Sequence, residues 1–216
     1  MVKIYPSLIS ADILNLESVI TDLEPYCDGW HIDIMDNNFV PNLTWGPMFA
    51  NAIAKVSKKQ LWVHLMVENP ASIIEHLRLA DKSIVSFHIE TKCDKNEIIS
   101  SIERNNWLPG IAISPKTPVG ELFNAISPKV YQLLIMSVVP GFSGQKFMPE
   151  TVDTLDMLVE YREKTGLPFT IGMDGGIHEK NLAMLVAKGV DHVAIASGIF
   201  ESEDSSAQLQ KLRKSI

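Results

Sequence analysis

The sequence HIDIMD, residues 31–36, is the place from which the fold can be read. His31, Asp33 and Met35 alternate with Ile32 and Ile34, the period of a β-strand whose side chains point to opposite faces. A half-buried surface strand would turn its ionisable groups to water. The flanking GW and NNFVPN do not read as an exposed edge. One face carries an imidazole and a carboxylate and the other two isoleucines, so the fold must use both.

On either side of this stretch, short β-branched runs alternate with longer amphipathic segments. Strands are predicted at Val2–Ser7, Gly29–Asp33, Leu61–Leu65, Ile84–His88, Gly110–Ile113, Tyr131–Ser137, Thr170–Asp174 and His192–Ala196. Helices are predicted at Asn15–Leu23, Met48–Val56, Ala71–Ala80, Glu97–Asn105, Val119–Ile126, Glu150–Lys164, Leu182–Lys188 and Ala207–Lys214. Pro70, Pro118 and Pro149 sit where first helical turns should begin, and Gly166 and Gly189 where helices should stop. Strands alternating with helices imply parallel pairing through βαβ crossovers. Eight such units in 216 residues fit a compact (β/α)8 TIM barrel, with a doubly wound open sheet as the rival. No linker, repeat or low-complexity tract divides the chain, so residues 1–216 are expected to form one domain. In a barrel, Ile32 and Ile34 would face helices, while His31 and Asp33 would point into the mouth where active sites lie.

Composition narrows the function classes. The chain is 46% hydrophobic and 21% charged, the balance of a soluble globular protein. A net charge of −7 without a basic stripe argues against a nucleic-acid partner. Cys27 and Cys93 are too few for a disulfide framework, which points to a reducing compartment. No apolar run is long enough to span a membrane, and MVKIYPSLIS lacks signal-peptide architecture. A cytoplasmic enzyme or binding protein is the expectation.

The strand ends carry the chemistry. The second predicted strand gives His31 and Asp33, the third His64, the seventh Asp174. Two imidazoles and two carboxylates suit a divalent transition metal such as zinc, iron, cobalt or manganese. Each alone could be a satisfied core histidine or a helix-capping aspartate; four at strand ends favour the metal. His88 and Glu90, closing the fourth strand, form a similar pair that spacing does not exclude. Met35, Met66 and Met136 also fall at strand ends, where core filling is the ordinary role and a proton-inert wall around the mouth the functional one. Glycine-rich turns follow the late strands: PGFSGQKF, DGG and ASGIF. Such turns allow close backbone approach and offer N–H groups to anions, and barrels often hold a phosphate beside the last two βα loops.

Taken together, PSLISAD at 6–12, HIDIMDNNFVPN at 31–42, HLMVENP at 64–70, MSVVPGFSGQKFMP at 136–149 and DGGI at 174–177 resemble the ribulose-phosphate 3-epimerase family, in order over nearly the whole chain. The resemblance implies a β/α barrel that interconverts D-ribulose 5-phosphate and D-xylulose 5-phosphate with a bound divalent metal, zinc foremost. It implies that His31, Asp33, His64 and Asp174 hold that metal. Asp33 and Asp174 would be the acid/base pair, working through an enediolate. Ser7 and His64 would contact substrate, Gly141, Phe142, Ser143 and Gly144 would form the substrate loop, and Gly175, Gly176, Ala196 and Ser197 would take the phosphate. No metal role falls on His88 and Glu90. A homo-oligomer acting on a small sugar phosphate in carbohydrate metabolism, in the pentose phosphate pathway, is implied too.

Five positions depart from the family's pattern: Asn37, Asn38, Val139, Ser143 and Ala196. Asn37 stands where a glycine is usual, and asparagine tolerates left-handed backbone. Asn38 removes a titratable group expected near the mouth. These departures leave room for a related ketohexose phosphate, allulose 6-phosphate, as substrate. A noncatalytic sugar-phosphate-binding barrel is the rival from another class, and the four intact ligand positions argue against it.

Overall fold

Side-chain parity along the strands builds two main cores, with Met35, Val40 and Met66 in a small third cluster. In the computed structural model, which describes residues 1–216, the strands are β1 (Lys3–Pro6), β2 (Gly29–Met35), β3 (Gln60–Met66), β4 (Ile84–His88), β5 (Leu108–Ile113), β6 (Gln132–Met136), β7 (Thr170–Asp174) and β8 (His192–Ile195). Tyr5, Trp62, Ile84, Ala112, Leu134, Met136 and Ala194 pack together in one cluster. Their alternates Ile4, Ile32, Ile34, Val63, Val85, Phe87, Ile111, Leu133, Ile135, Ile171 and Val193 join a second, larger cluster with the helices. The first fills the inside of a barrel and the second the layer between strands and helices.

All eight strands are parallel, in the order β1-β8-β7-β6-β5-β4-β3-β2. The seam between β1 and β2 is nearly closed. A bridge joins Ser7 to His31, and the Asp28 N–H donates to the Ile4 carbonyl at 3.0 Å. The Asp28 carboxylate accepts the Ile4 N–H at 2.8 Å and is paired with Arg213. The open-sheet alternative therefore falls, and the fold is a (β/α)8 TIM barrel. Its interior is close-packed: a Cβ added at Gly172 would lie 2.8 Å from the Trp62 ring, so the glycine makes the room that the indole fills.

The helices are α1 (Leu16–Leu23), α2 (Pro47–Val56), α3 (Pro70–Ile74), α4 (Lys95–Arg104), α5 (Gly120–Ala125), α6 (Thr151–Thr165), α7 (Glu179–Ala187), α8 (Ser197–Phe200) and α9 (Ser205–Lys214). Pro70 opens α3 and Gly166 closes α6 in the left-handed region, as their positions predict. The expected helix Ala71–Ala80 is much shorter. Asn51 on α2 captures the backbone beyond it, donating to the His76 carbonyl at 2.9 Å and accepting the Arg78 N–H at 2.7 Å. A turn of helix after Ile74 would use those same groups internally. The four-residue α8 was not predicted; it opens at the phosphate-type turn after β8. No helix is long and apolar enough to cross a membrane.

Candidate active site

At the C-terminal ends of the strands, alternation puts His31 and Asp33 of β2, His64 of β3 and Asp174 of β7 on the inner face. One ligand atom from each lies within 4.8 Å of all the others, and all four residues are buried. Asp33 is the hub. Its Oδ2 accepts the Ser7 hydroxyl at 2.7 Å and lies 3.2 Å from His31 Nδ1, while Oδ1 lies 3.1 Å from His64 Nδ1. Asp174 Oδ2 sits 3.6 Å from His64 Nδ1 and 4.0 Å from His31 Nε2.

Burial raises the Asp33 carboxyl, but His31 and His64 beside it outweigh burial and hold it far below the usual carboxylate range. Burial lowers His64, yet hydrogen bonds to Asp174 and Asp33 prevail and raise it to about 9. The site thus concentrates negative charge that wants a cation. His31 Nε2 is buried with no hydrogen-bond partner at all. A fully buried imidazole nitrogen without a partner is costly, unless something absent from the chain itself supplies one. The donor set is two nitrogens and two carboxylates, which fits a borderline metal such as zinc. On these grounds the four residues fit the implied ion.

Above them opens a cleft with about 480 Å³ of empty space. Ser7, Asp33 and Asp174 line it, together with Gly141, Phe142, Ser143 and Gly144 from the β6 loop, Gly175 and Gly176 after β7, and Ala196 and Ser197 after β8. His31 and His64 lie beneath its floor, each 0% exposed. Every residue that the resemblance implies for the metal, the proton transfers and the substrate is therefore at or directly beneath one mouth. Met35, Met66 and Met136 line it too, and all three are also buried in hydrophobic clusters, so they fill the core at the edge of the cleft. Gly175 (φ 113°) and Gly176 (φ 63°) both adopt backbone that L side chains rarely take, and a Cβ on either would strike Val138 or Phe147.

Other lining groups, Ile9, Val138, Gln145 and Ile177, lie within the quoted motifs, although no site role was assigned to them there. Gln145 staples its own loop, donating to the carbonyls of Val139 and Phe142 at 2.7 and 2.8 Å. Asn42 holds the same loop by donating to the Gly141 carbonyl at 2.6 Å, and Ser10 and Ser143 share a hydroxyl hydrogen bond of 2.6 Å. Among the departures, Asn37 has φ 59°, as its tolerance of left-handed backbone anticipates. Asn38 turns to the Asp36 carbonyl and, like Val139, does not line the cleft. Only Ser143 and Ala196 of the five reach it.

Residues 3–200 match the model of the ribulose-phosphate 3 epimerase family. The chain belongs to that family. Among its relatives, the cytoplasmic isoform of ribulose-phosphate 3-epimerase from Oryza sativa subsp. japonica is 36% identical over 99% of this chain and 94% of its own. Ribulose-phosphate 3-epimerase of Escherichia coli K12 is 33% identical over 99% and 95%. In fold the epimerase is also similar to 3-hexulose-6-phosphate synthase from Salmonella typhimurium, with TM-score 0.70 over 99% of this chain and 97% of that one at 14% identity. The chain is thus an isomerase, an epimerase acting on carbohydrates.

Proposed function

We propose that this epimerase interconverts D-ribulose 5-phosphate and D-xylulose 5-phosphate by inverting carbon 3, with Asp33 and Asp174 as the two proton carriers and a divalent metal held by His31, Asp33, His64 and Asp174. The observation that carries the reading is the convergence of two carboxylates from well-separated strands on one cleft floor. Inversion needs a proton taken from one face of a carbon and returned to the other. Carbon 3 lies next to a ketone, so its proton is acidic enough for a positioned carboxylate to remove. The carboxylate facing that proton accepts it and leaves an enediolate. The other, entering protonated, delivers to the opposite face, and the reverse reaction exchanges their roles. His31 and His64 hold Asp33 in the form able to accept a proton, and the Ser7 hydroxyl fixes the orientation of its Oδ2. When bound, the metal supplies Lewis-acid stabilisation for the negative charge that develops on the substrate. Zinc suits the donor set first, with iron, cobalt and manganese also compatible.

The phosphate would rest on the turns at 175–176 and 196–197. No lysine or arginine lines the cleft, so backbone N–H groups and the Ser197 hydroxyl are the donors available at these turns. Met35, Met66 and Met136 present apolar walls that neither donate nor accept protons, which suits a carbanion-like intermediate. The protein is further expected to act in the cytoplasm as a homo-oligomer.

Turnover of ribulose 5-phosphate tests the reading. Chelation should abolish it and added zinc, manganese or cobalt should restore it; full turnover by protein shown to be metal-free would remove the metal from the mechanism. Free ribulose should lose kcat as well as affinity, because binding energy at the phosphate positions the reacting carbon. Comparable kcat/KM for the two sugars would exclude a phosphate clamp.

A further inference from the structure

Behind the four clustered residues lies a chain of hydrogen bonds that the reaction itself does not use. His64 Nε2 is 2.9 Å from His88 Nε2, and the two rings are inclined by only 24°. His88 Nδ1 lies 3.0 Å from Glu90 Oε2. The other oxygen of Glu90 accepts the Ser114 N–H at 2.8 Å and the Thr117 hydroxyl at 2.6 Å. His64 and His88 are both 0% exposed, so no solvent competes between the two rings, while Glu90 at the far end is half-buried.

The polarity of such a chain is set at its far end. A carboxylate only accepts, so His88 Nδ1 must donate to Glu90. A neutral imidazole protonated at Nδ1 has its lone pair at Nε2, so His88 must then accept from His64 Nε2–H. His64 is left presenting Nδ1, the atom 3.1 Å from Asp33 and 3.6 Å from Asp174, to the cluster. We infer that His88 and Glu90 are positioning residues that fix the tautomer of His64, so that Nδ1 carries the lone pair offered to the metal. Outer partners of metal-bound histidines act in this way generally. This inference rests on the metal reading above.

Glu90→Gln makes a sharp test because it should reverse the chain rather than merely weaken it. The Ser114 N–H points in a direction fixed by the backbone, so the new carbonyl must stay there and its amide must face His88. His88 Nδ1 would have to accept, Nε2 would carry the proton, and His64 would be driven to protonate Nδ1.

Metal-free full-length protein is titrated with cobalt(II), followed by visible absorption, for wild type, Glu90→Gln and His88→Phe. Both variants should bind about 10–100-fold more weakly. Ring-nitrogen NMR of the zinc-loaded wild type should show His64 protonated at Nε2 and His88 at Nδ1, and in Glu90→Gln the His88 proton should move to Nε2. Wild type that binds cobalt(II), with variants within twofold of it, overturns the positioning role alone. Wild type that binds no cobalt(II) overturns the metal reading and this inference with it. A His88 proton found at Nε2 in the wild type overturns the inference even if neither variant folds.

Discussion

Toward the N-terminal ends of the strands, Tyr5, Trp62, Ser86, Gln132 and His192 bury polar groups inside the barrel, as His31, Asp33, His64 and Asp174 do at the mouth. The two ends are wired differently. At the base, the Tyr5 hydroxyl donates to Gln60 at 2.6 Å, the Trp62 indole to Ser86 at 2.9 Å, Ser86 to Gln132 at 3.1 Å, and the Gln132 amide to His192 Nδ1 at 2.8 Å. That series leaves no buried polar side-chain atom unpaired, whereas at the mouth His31 Nε2 is unpaired and two carboxylates crowd two histidines. A satisfied network specifies a core, and an unsatisfied one stores a demand for a partner. Buried polarity alone therefore does not mark a site. Neither does one orphaned atom, since Trp45 Nε1 is also unpaired and lies outside the cleft. The mouth is marked by an orphaned imidazole nitrogen beside two carboxylates and a second histidine.

Breaking the mouth should cost activity far more than stability. Asp174→Asn keeps the shape and a ligating oxygen but removes a proton carrier, so epimerisation should fall by about 10²–10⁴-fold while the thermal midpoint changes little. For the substrate epimer whose proton faces Asp33, solvent deuterium should still enter at carbon 3. Asp33→Asn should show the complementary pattern with the other epimer. Loss of exchange with both epimers in both variants, at normal metal content, would break the assignment of one aspartate to each face.

Breaking the base should do the reverse. Gln132→Leu leaves the Ser86 hydroxyl without its acceptor and His192 Nδ1 without its donor, and should destabilise the fold by roughly 1–3 kcal/mol for each group orphaned. Denaturant unfolding measures the loss. The kcat of the folded protein should stay near wild type, and a large fall in kcat would show that the two ends are coupled.

A smaller effect probes the same contrast through pH. Burial, helped by Lys3 and opposed by Asp191 and Asp28, lowers His192 from 6.5 to about 4. Its folded form therefore binds a proton less readily than its unfolded form. The stability it contributes is complete above about pH 6.5 and is lost as pH falls toward 4, at about 1.4 kcal/mol per pH unit. His192→Gln should flatten the unfolding curve by that slope within this window only. An unchanged acid slope would place the titrating group elsewhere.

Much of this architecture is legible in the amino-acid sequence. A period of two is a local property of the backbone, so HIDIMD alone assigns His31 and Asp33 to one face and Ile32 and Ile34 to the other. The prolines and glycines at helix ends act on their own residue's φ, which is why Pro70 and Gly166 sit where expected. Asn37 is the same kind of case. The effect of Asn38 and Val139 was not legible, because whether a loop residue turns toward the mouth depends on the loop's path. Nor was the early end of α3, since Asn51 captures that backbone from a neighbouring helix.

His88 marks the boundary most clearly. Local pattern is enough to establish that an imidazole and a carboxylate close the fourth strand, and that eight βα units must bury a polar inner face. What that pair does follows only from how β4 packs beside β3. The β3–β4 register, with His64 opposite Ser86, sets His88 one inward position further along, where its Nε2 meets that of His64 and leaves Nδ1 for the cluster. Hydrogen-bond polarity across strands is fixed by register and by the partner at the far end of the chain, and neither is a local property of residues 84–90.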